Sequence, residues 1–376
     1  MALGAGSERV NVLTFNAGSS SLKYGIYSVD SERVQPIFSH AQAMEPTTAG
    51  ASAATDAALA SLLPTNISFE AIGHRMVFGG PEDTPTLASP ALFKRLERYE
   101  RLDPLHAPAS LAALRTTHER FPQIPNVLCF DTAFFRELPE SARAIPIEND
   151  EPEFLRRYGF HGLSYEYVRT ALGESLGSRA ILAHLGSGAS LAALRDGRAV
   201  ESTMGFSPIG GILMATRPGD LDPGALLYLL EERGKSTADL RRMLEERSGV
   251  SALSGGERDL RRLLERRTDP RAAFAVDVFC RSVIKAAGAL AALLGGIDSF
   301  VFTGGVGEHL APIRSAIVDG LAHLGLHLDS EANARHAAIV STASSPVTVR
   351  VVATDENATI ARATSALVHP SAERCL

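Results

Sequence analysis

Apolar and polar positions alternate in two stretches of similar design. Over residues 10–27, Val12, Leu13 and Phe15 lead into the turn Asn16-Ala17-Gly18-Ser19-Ser20-Ser21, and alternation resumes at Leu22. Over residues 180–194, Ile181, Leu182 and Ala183 lead into His184-Leu185-Gly186-Ser187-Gly188-Ala189-Ser190, and apolar positions resume at Leu191. A period of two on both sides of a Gly/Ser turn predicts strand, tight turn, strand in each case. Two such hairpins, each opening about half of the chain, predict an internally duplicated architecture.

Between them the period changes. Leu, Phe and Ala recur at helical spacing over residues 90–101 and 108–121, and residues 223–232 predict a helix with proline in its first turn. Residues 239–247 and 257–267 are charged enough to predict solvated helices. Residues 273–294 predict a long helix stopped by Gly295-Gly296. Short apolar runs at 127–130, 299–302 and 347–353 predict buried strands, and residues 359–368 a closing helix. Residues 41–65, rich in Ala and Thr, show no clear pattern. Strands alternating with helices predict α/β layers. At 376 residues the chain is long for one core, so two domains are expected, with the acidic, Pro-containing stretch 148–152 as a junction.

Composition adds mainly exclusions. A hydrophobic share of 45% and a charged share of 21% suit a soluble globular protein. The net charge of −6 carries no basic stripe, which argues against a nucleic-acid partner. Cys129, Cys280 and Cys375 are spaced for neither a disulfide framework nor a zinc site. The opening MALGAGSERV lacks the apolar core of a secretory signal, and the apolar run at 286–294 is too short for a bilayer. A cytoplasmic enzyme with no membrane partner is expected.

Candidate chemistry gathers at the turns. RRYGFHG (156–162) sets Arg156, Arg157, Tyr158, Phe160 and His161 around two glycines, a mixture suited to holding an anion and excluding its water, or simply a loop with a histidine. GHRMVFGG (73–80), CFDTAF (129–134), MATRPGDLDPG (214–224) and FTGGVGE (302–308) repeat that character. Three Gly-rich turns (18–21, 186–190 and 304–307) follow apolar strands, and their backbone N–H groups can cradle phosphate. None is a GxxxxGK[ST] loop, and GGVGEH lacks the last glycine of a dinucleotide fingerprint. Arg75 and Arg217 each offer a fork of donors for carboxylate or phosphate, or pair with a structural acid. Asp131 ends a buried strand, where α/β ligands gather, or caps the following helix. Asn16 suits a metal-bound water or a phosphate oxygen, and Lys23 a nucleotide phosphate or a plain strand position. Glu356, in ATDEN, suits Mg²⁺ or the dipole of a helix N-terminus.

In order along nearly the whole chain, NAGSSSLK (16–23), GHRMVFGG, PLHAP (104–108), FDTAF, RRYGFHG, HLGSGAS (184–190), TMGFSP (203–208), ATRPGDLDPG, FTGGVGE and TDEN (354–357) resemble the acetate kinase family. The resemblance implies the duplicated two-domain fold of sugar kinases, actin and Hsp70-like ATPases, closing on an interdomain cleft. It implies an N-terminal domain over residues 1–147, with a helix at 360–376 packing back on it, and a nucleotide-binding and dimerisation domain over 148–359. It implies transfer of the ATP γ-phosphoryl group to acetate, giving acetyl phosphate and ADP, with Mg²⁺ (or Mn²⁺), in a homodimer. Carried over by position, Arg75 and Arg217 clamp acetate and the migrating phosphoryl group, His161 donates to an equatorial oxygen, and Asp131 orients the metal or its water. Asn16 and Glu356 hold the metal. Lys23, His184, Leu185, Gly186, Ser187 and Gly188 approach the nucleotide phosphates. Asp259, Leu260 and Arg261 lie toward the adenosine, and Gly304, Gly305, Val306 and Gly307 complete the cradle. Val77, Leu105, Phe160 and Pro208 line the methyl pocket.

Such a reaction needs no general base, because a carboxylate acceptor of pKa roughly 4–5 is already ionised. Positioning and charge stabilisation remain. Several positions depart from the family pattern: Phe78, Phe135 and Tyr165 stand at histidine positions, Ala107, Ser110 and Ser187 at asparagine positions, and Gly210 at a glutamate position. The nucleophile-binding arginines, His161, Asp131 and Glu356 persist, so an active enzyme with shifted kinetics is expected. The rival readings are a propionate or other short-chain acyl kinase, an ATPase without a small acceptor, and a sugar kinase; the apolar lining argues against the last.

Overall fold

The opening alternation folds as β1 (Val10–Ala17) and β2 (Ser21–Val29), antiparallel, with Val12 opposite Tyr27 and Asn16 opposite Lys23. The computed structural model describes residues 9–370 apart from 19, 20, 46, 63, 65, 101, 102, 104 and 105. Beyond β2 lies the antiparallel strand β3 (Val34–Ala43). On the other side of β1, β4 (Ala71–Met76) pairs in parallel and is itself flanked in parallel by β6 (Asn126–Phe130). The short β5 (Thr86–Leu87) runs antiparallel to β6 at the edge. The sheet order is β3-β2-β1-β4-β6-β5.

The second predicted hairpin folds as β7 (Arg179–Leu185) and β8 (Ala189–Arg195), again antiparallel, with β9 (Arg198–Ser202) added antiparallel to β8. Here β10 (Ser299–Thr303) pairs in parallel with β7, and β11 (Thr348–Val351) in parallel with β10. The order β11-β10-β7-β8-β9 repeats the first sheet: a three-stranded antiparallel meander, then two parallel strands on the far side of its first strand. Duplication is therefore a property of strand order as well as of sequence. Among the described residues, only β5 has no counterpart.

The chain divides into two compact units, Met1–Arg136 with Asp355–Leu376, and Glu137–Thr354. In the first, Leu13, Phe15, Tyr24, Ile26 and Ile72 pack with Ala51, Ala58, Ala109 and Ala112 from two helices, Thr48–Leu62 and Ala107–Arg120. Met76, Leu92, Leu96, Leu111, Leu114, Leu128 and Phe130 form a further cluster of the same unit. Each fully buried Leu or Phe contributes about 1.5–3 kcal/mol. The helix Glu356–Val368 belongs to this unit and packs on β1, β2 and β4. Asp355 starts it, accepting a hydrogen bond from the Ala358 N–H at 3.0 Å.

In the second unit, Pro270–Leu294 is the long helix expected, ended by Gly295 at φ 72°. Residues 41–65 contain order that their pattern hides: the end of β3 and the helix Thr48–Leu62. The buried face of that helix includes Ala51, Ala54 and Ala58, which offer little apolar contrast with its outer face.

Candidate active site

The parallel register brings the first group of residues together before any side chain is considered. Phe15 pairs with His74 and Arg75 with Cys129, so the carboxyl ends of β1, β4 and β6 deliver Asn16, Arg75 and Asp131 to one edge of the sheet. The start of the helix Glu356–Val368 meets them there. Arg75 donates from Nη2 and Nε to Asp131 Oδ2 at 2.7 and 3.2 Å, and from Nη1 to Asn16 Oδ1 at 3.1 Å. Asn16 Nδ2 donates to Glu356 Oε2 at 2.7 Å, and the same oxygen lies 3.7 Å from Arg75 Nη1.

Asp131 is fully buried, and its Oδ1 has no hydrogen-bond partner. Burial pushes its carboxyl above the ordinary range; the Arg75 charge opposes this and the Glu356 charge adds to it. Burial alone would push the Arg75 guanidinium down, but Asp131 and Glu356 outweigh it and the net direction is up. Arg75 stays charged throughout. The two open readings of Arg75 thus merge, because it pairs with a buried acid that belongs to the same cluster. Asp131 opens a short 3-10 turn and makes no side-chain cap. Glu356 is the first residue of its helix, so it satisfies the dipole and joins the cluster at once.

Two residues that the sequence reading passed over stand beside these. His106 Nδ1 lies 2.7 Å from Asp103 Oδ1, and Asp103 is 2% exposed with its Oδ2 unpartnered. The Asp103 carboxylate adds to the field that holds Arg75 charged. His106 lies within the family motif PLHAP and Asp103 directly before it, and the motif assigns neither a role; Leu105 lies outside the described residues.

An orphaned, buried carboxylate oxygen with Glu356 and Asn16 alongside is a hard-oxygen donor set, and the residues fit Mg²⁺. Among the described residues no three His, Cys, Asp or Glu side chains form a ready-made metal cage.

The second group lies in the other unit. His161 precedes the helix Gly162–Leu172 at φ 60°, a left-handed conformation unusual for a residue with a Cβ. Its ring stacks on His184 at 4.3 Å and 17°, and its Nδ1 meets Ser190 Oγ at 2.9 Å. Arg217, 8% exposed, donates from Nη1 to the Pro208 carbonyl at 2.6 Å. Gly188 shows how closely the two approach: a Cβ there would lie 2.7 Å from Arg217 Nη2 and 3.1 Å from His161 Nε2. Only glycine leaves that space open. The other two charged residues of RRYGFHG serve the scaffold: Arg157 donates to the Ser202 carbonyl at 2.6 Å, and Arg156 lies over the Tyr158 ring at 5.1 Å.

Thr303 pairs with His184, so the turn after β7 and the start of the helix Gly304–His309 share an edge of the second sheet. Gly304 has φ 76° and a Cβ there would stand 2.7 Å from the Leu185 carbonyl oxygen, so glycine is needed twice over. Gly305 and Val306 continue that helix and Gly307 is buried within it. Gly186 N–H donates to the Gly188 carbonyl at 3.0 Å, and Ser187 is exposed at the tip. Asp259 caps the helix Leu260–Glu265 through the Arg261 N–H at 2.9 Å; Leu260 is buried and Arg261 exposed. Lys23 is exposed on β2. Of the apolar lining, Val77 is buried in the first unit, and Phe160 and Pro208 in the second.

Fold and side chains define a duplicated α/β protein whose strand ends carry arginine, histidine and carboxylate chemistry fit for an anionic substrate. The chain belongs to the acetokinase family, whose model matches residues 11–362. It is 42% identical over 390 aligned residues to an acetate kinase of Nitrobacter hamburgensis, covering 95% of this chain and 96% of that protein. It is 41% identical to one of Rhizobium meliloti over 95% of this chain and 98% of that protein. Among solved structures, a propionate kinase of Francisella tularensis superposes with a TM-score of 0.84 at 28% identity, over 95% of this chain and 99% of that one. Porphyromonas gingivalis acetate kinase gives 0.81 at 32% identity, over 96% of this chain and 100% of that one.

Proposed function

We propose that the protein transfers the γ-phosphoryl group of ATP reversibly and directly to acetate, giving acetyl phosphate and ADP. The observation that carries this is the approach of Arg217 Nη2 and His161 Nε2 to one position above Gly188, in a member of the acetokinase family. Acetate arrives ionised, so the barrier is the meeting of two anions and not the removal of a proton. Arg217 and His161 neutralise equatorial oxygens of the migrating group, and Arg75, pinned by Asp131 and Asn16, serves acetate and the same phosphoryl group. Asp131, Asn16 and Glu356 would hold Mg²⁺, which neutralises the nucleotide phosphates when bound. The backbone of residues 186–188 and 304–307, with Lys23, serves those phosphates, and Asp259, Leu260 and Arg261 serve the adenosine. Val77, Leu105, Phe160 and Pro208 take the methyl group.

The propionate kinase resemblance supports a second reading, in which propionate is the better acceptor. One methylene changes binding in an apolar pocket by only about 1–3 kcal/mol, so the two acids are competitors, not exclusive alternatives. Trapping of acyl phosphate with hydroxylamine across acetate, propionate and butyrate tests both. Acetate should give the highest kcat/KM. A propionate maximum selects the second reading, and no hydroxamate from any acid at saturating ATP removes both.

A homodimer and a cytoplasmic location complete the proposal. Supporting the first, the helix Pro223–Glu231 buries none of its residues and exposes Leu227 and Tyr228. Supporting the second is the demand for ATP; among the described residues no helix is long and apolar enough to cross a membrane.

A further inference from the structure

The hydrogens around His161 can be counted. Tyr165 Oη lies 2.8 Å from the Ser190 carbonyl oxygen and 2.6 Å from Ser190 Oγ, and His161 Nδ1 lies 2.9 Å from that same Oγ. A carbonyl oxygen only accepts, so the first contact takes the single phenolic hydrogen. Ser190 Oγ–H must then donate to Tyr165 Oη, which uses the only hydroxyl hydrogen of the serine. The third contact is left for His161 Nδ1–H to donate.

We propose that Tyr165, acting through Ser190, is a positioning residue that holds neutral His161 in its Nδ1–H form, so that Nε2 donates to the phosphoryl group only after the ring takes up a second proton. This rests on the reading of His161 as a phosphoryl-binding group. Tyr165 is fully buried, and burial pushes its phenol above the usual range, so it keeps its hydrogen at every working pH. The charged and titratable groups facing His161 within its unit are the Arg217 guanidinium, the stacked His184 ring and, behind Ser190, the Tyr165 phenol. The guanidinium opposes the second proton. A phosphoryl dianion favours it, and solvent supplies it as the nucleotide binds.

Long-range ¹⁵N–¹H spectra of the histidine-labelled chain read the tautomer directly, with the His161 signals assigned by their loss in His161→Gln. At alkaline pH the wild type should carry hydrogen on Nδ1. In Tyr165→Phe the freed Ser190 hydroxyl donates to Nδ1, and the pattern should invert to Nε2–H. Ser190→Ala, which removes the acceptor of the Nδ1 hydrogen, serves as the second variant and should also lose the Nδ1–H pattern. In kinetics, wild-type kcat should fall at alkaline pH, where Nε2 carries no hydrogen, and Tyr165→Phe should flatten that fall with KM for ATP unchanged. A wild-type His161 already in the Nε2–H form, or a Tyr165→Phe spectrum identical to wild type, overturns the inference. Wild-type protein that makes no acyl phosphate overturns the role of His161 in phosphoryl transfer, whatever its tautomer.

Discussion

His74 and Asp131 are both buried and titratable, and burial drives them in opposite directions. The His74 ring, 1% exposed and held at Nε2 by Asn126 Oδ1 at 2.9 Å, is pushed down to about 4. The unfolded chain binds a proton at this position from about pH 6.5 downward. The contribution of the neutral ring is therefore complete above about pH 6.5 and is lost as pH falls toward the folded value, a change of about 3 kcal/mol. Urea melts across that window should record the loss, and His74→Gln should flatten it. Asp131 behaves otherwise. One of its oxygens accepts from Arg75 and the other has no hydrogen-bond partner, and the proposed role at Mg²⁺ requires its charge. Asp131→Asn preserves shape and removes that charge, and kcat should fall about 100-fold in the acyl phosphate assay. Arg75→Met should lower turnover and also show in denaturation, at about 3–5 kcal/mol, because it strands a buried carboxylate. The family resemblance gathers Asn16, Asp131 and Glu356 at one metal, but the contacts among them and with Arg75 are not legible in a chain that sets the four far apart. Asp103 and His106 went unnoticed for the same reason.

At the scale of elements, the buried strands declared themselves. β1, β6, β7 and β10 are apolar runs that end at Gly, Asn, Asp or His, and their burial leaves no alternative pattern. β3 did not, because an edge strand exposed along most of its length has no apolar face to show. The helix Thr48–Leu62 was hidden by its alanines. The helix Pro223–Glu231 forms as expected, and its apolar run Ala-Leu-Leu-Tyr-Leu-Leu is nowhere buried, being half-buried or exposed along its length. Leu227 is 53% and Tyr228 52% exposed. If this face is the homodimer surface, Leu227→Glu with Tyr228→Glu should halve the mass seen by analytical ultracentrifugation while the isolated chain keeps its melting temperature. A wild-type mass of one chain would contradict the dimer outright.

At the scale of the whole molecule, the two sheets share one strand order, and both collect their chemistry at the ends of parallel strands. The proposed Mg²⁺ belongs to this level, since it needs the substrate phosphates as well as the protein. Chelation with EDTA should abolish turnover and leave the melting temperature of the ligand-free protein unchanged, because the proposed ion is held together with the substrate phosphates. A large drop in melting temperature would mean a structural metal. Family, fold class and most strand positions could be read from the amino-acid order alone, because they rest on period, turn chemistry and contiguous motifs, all of which are local. The family resemblance also implies that His161 and Arg217 serve one group, but the pairing of Arg75 with Asp131, the approach of His161 and Arg217 to Gly188, and the proton count through Ser190 could not be read. They depend on register between strands distant in sequence, and on distances of a few tenths of an ångström that only the packed chain sets.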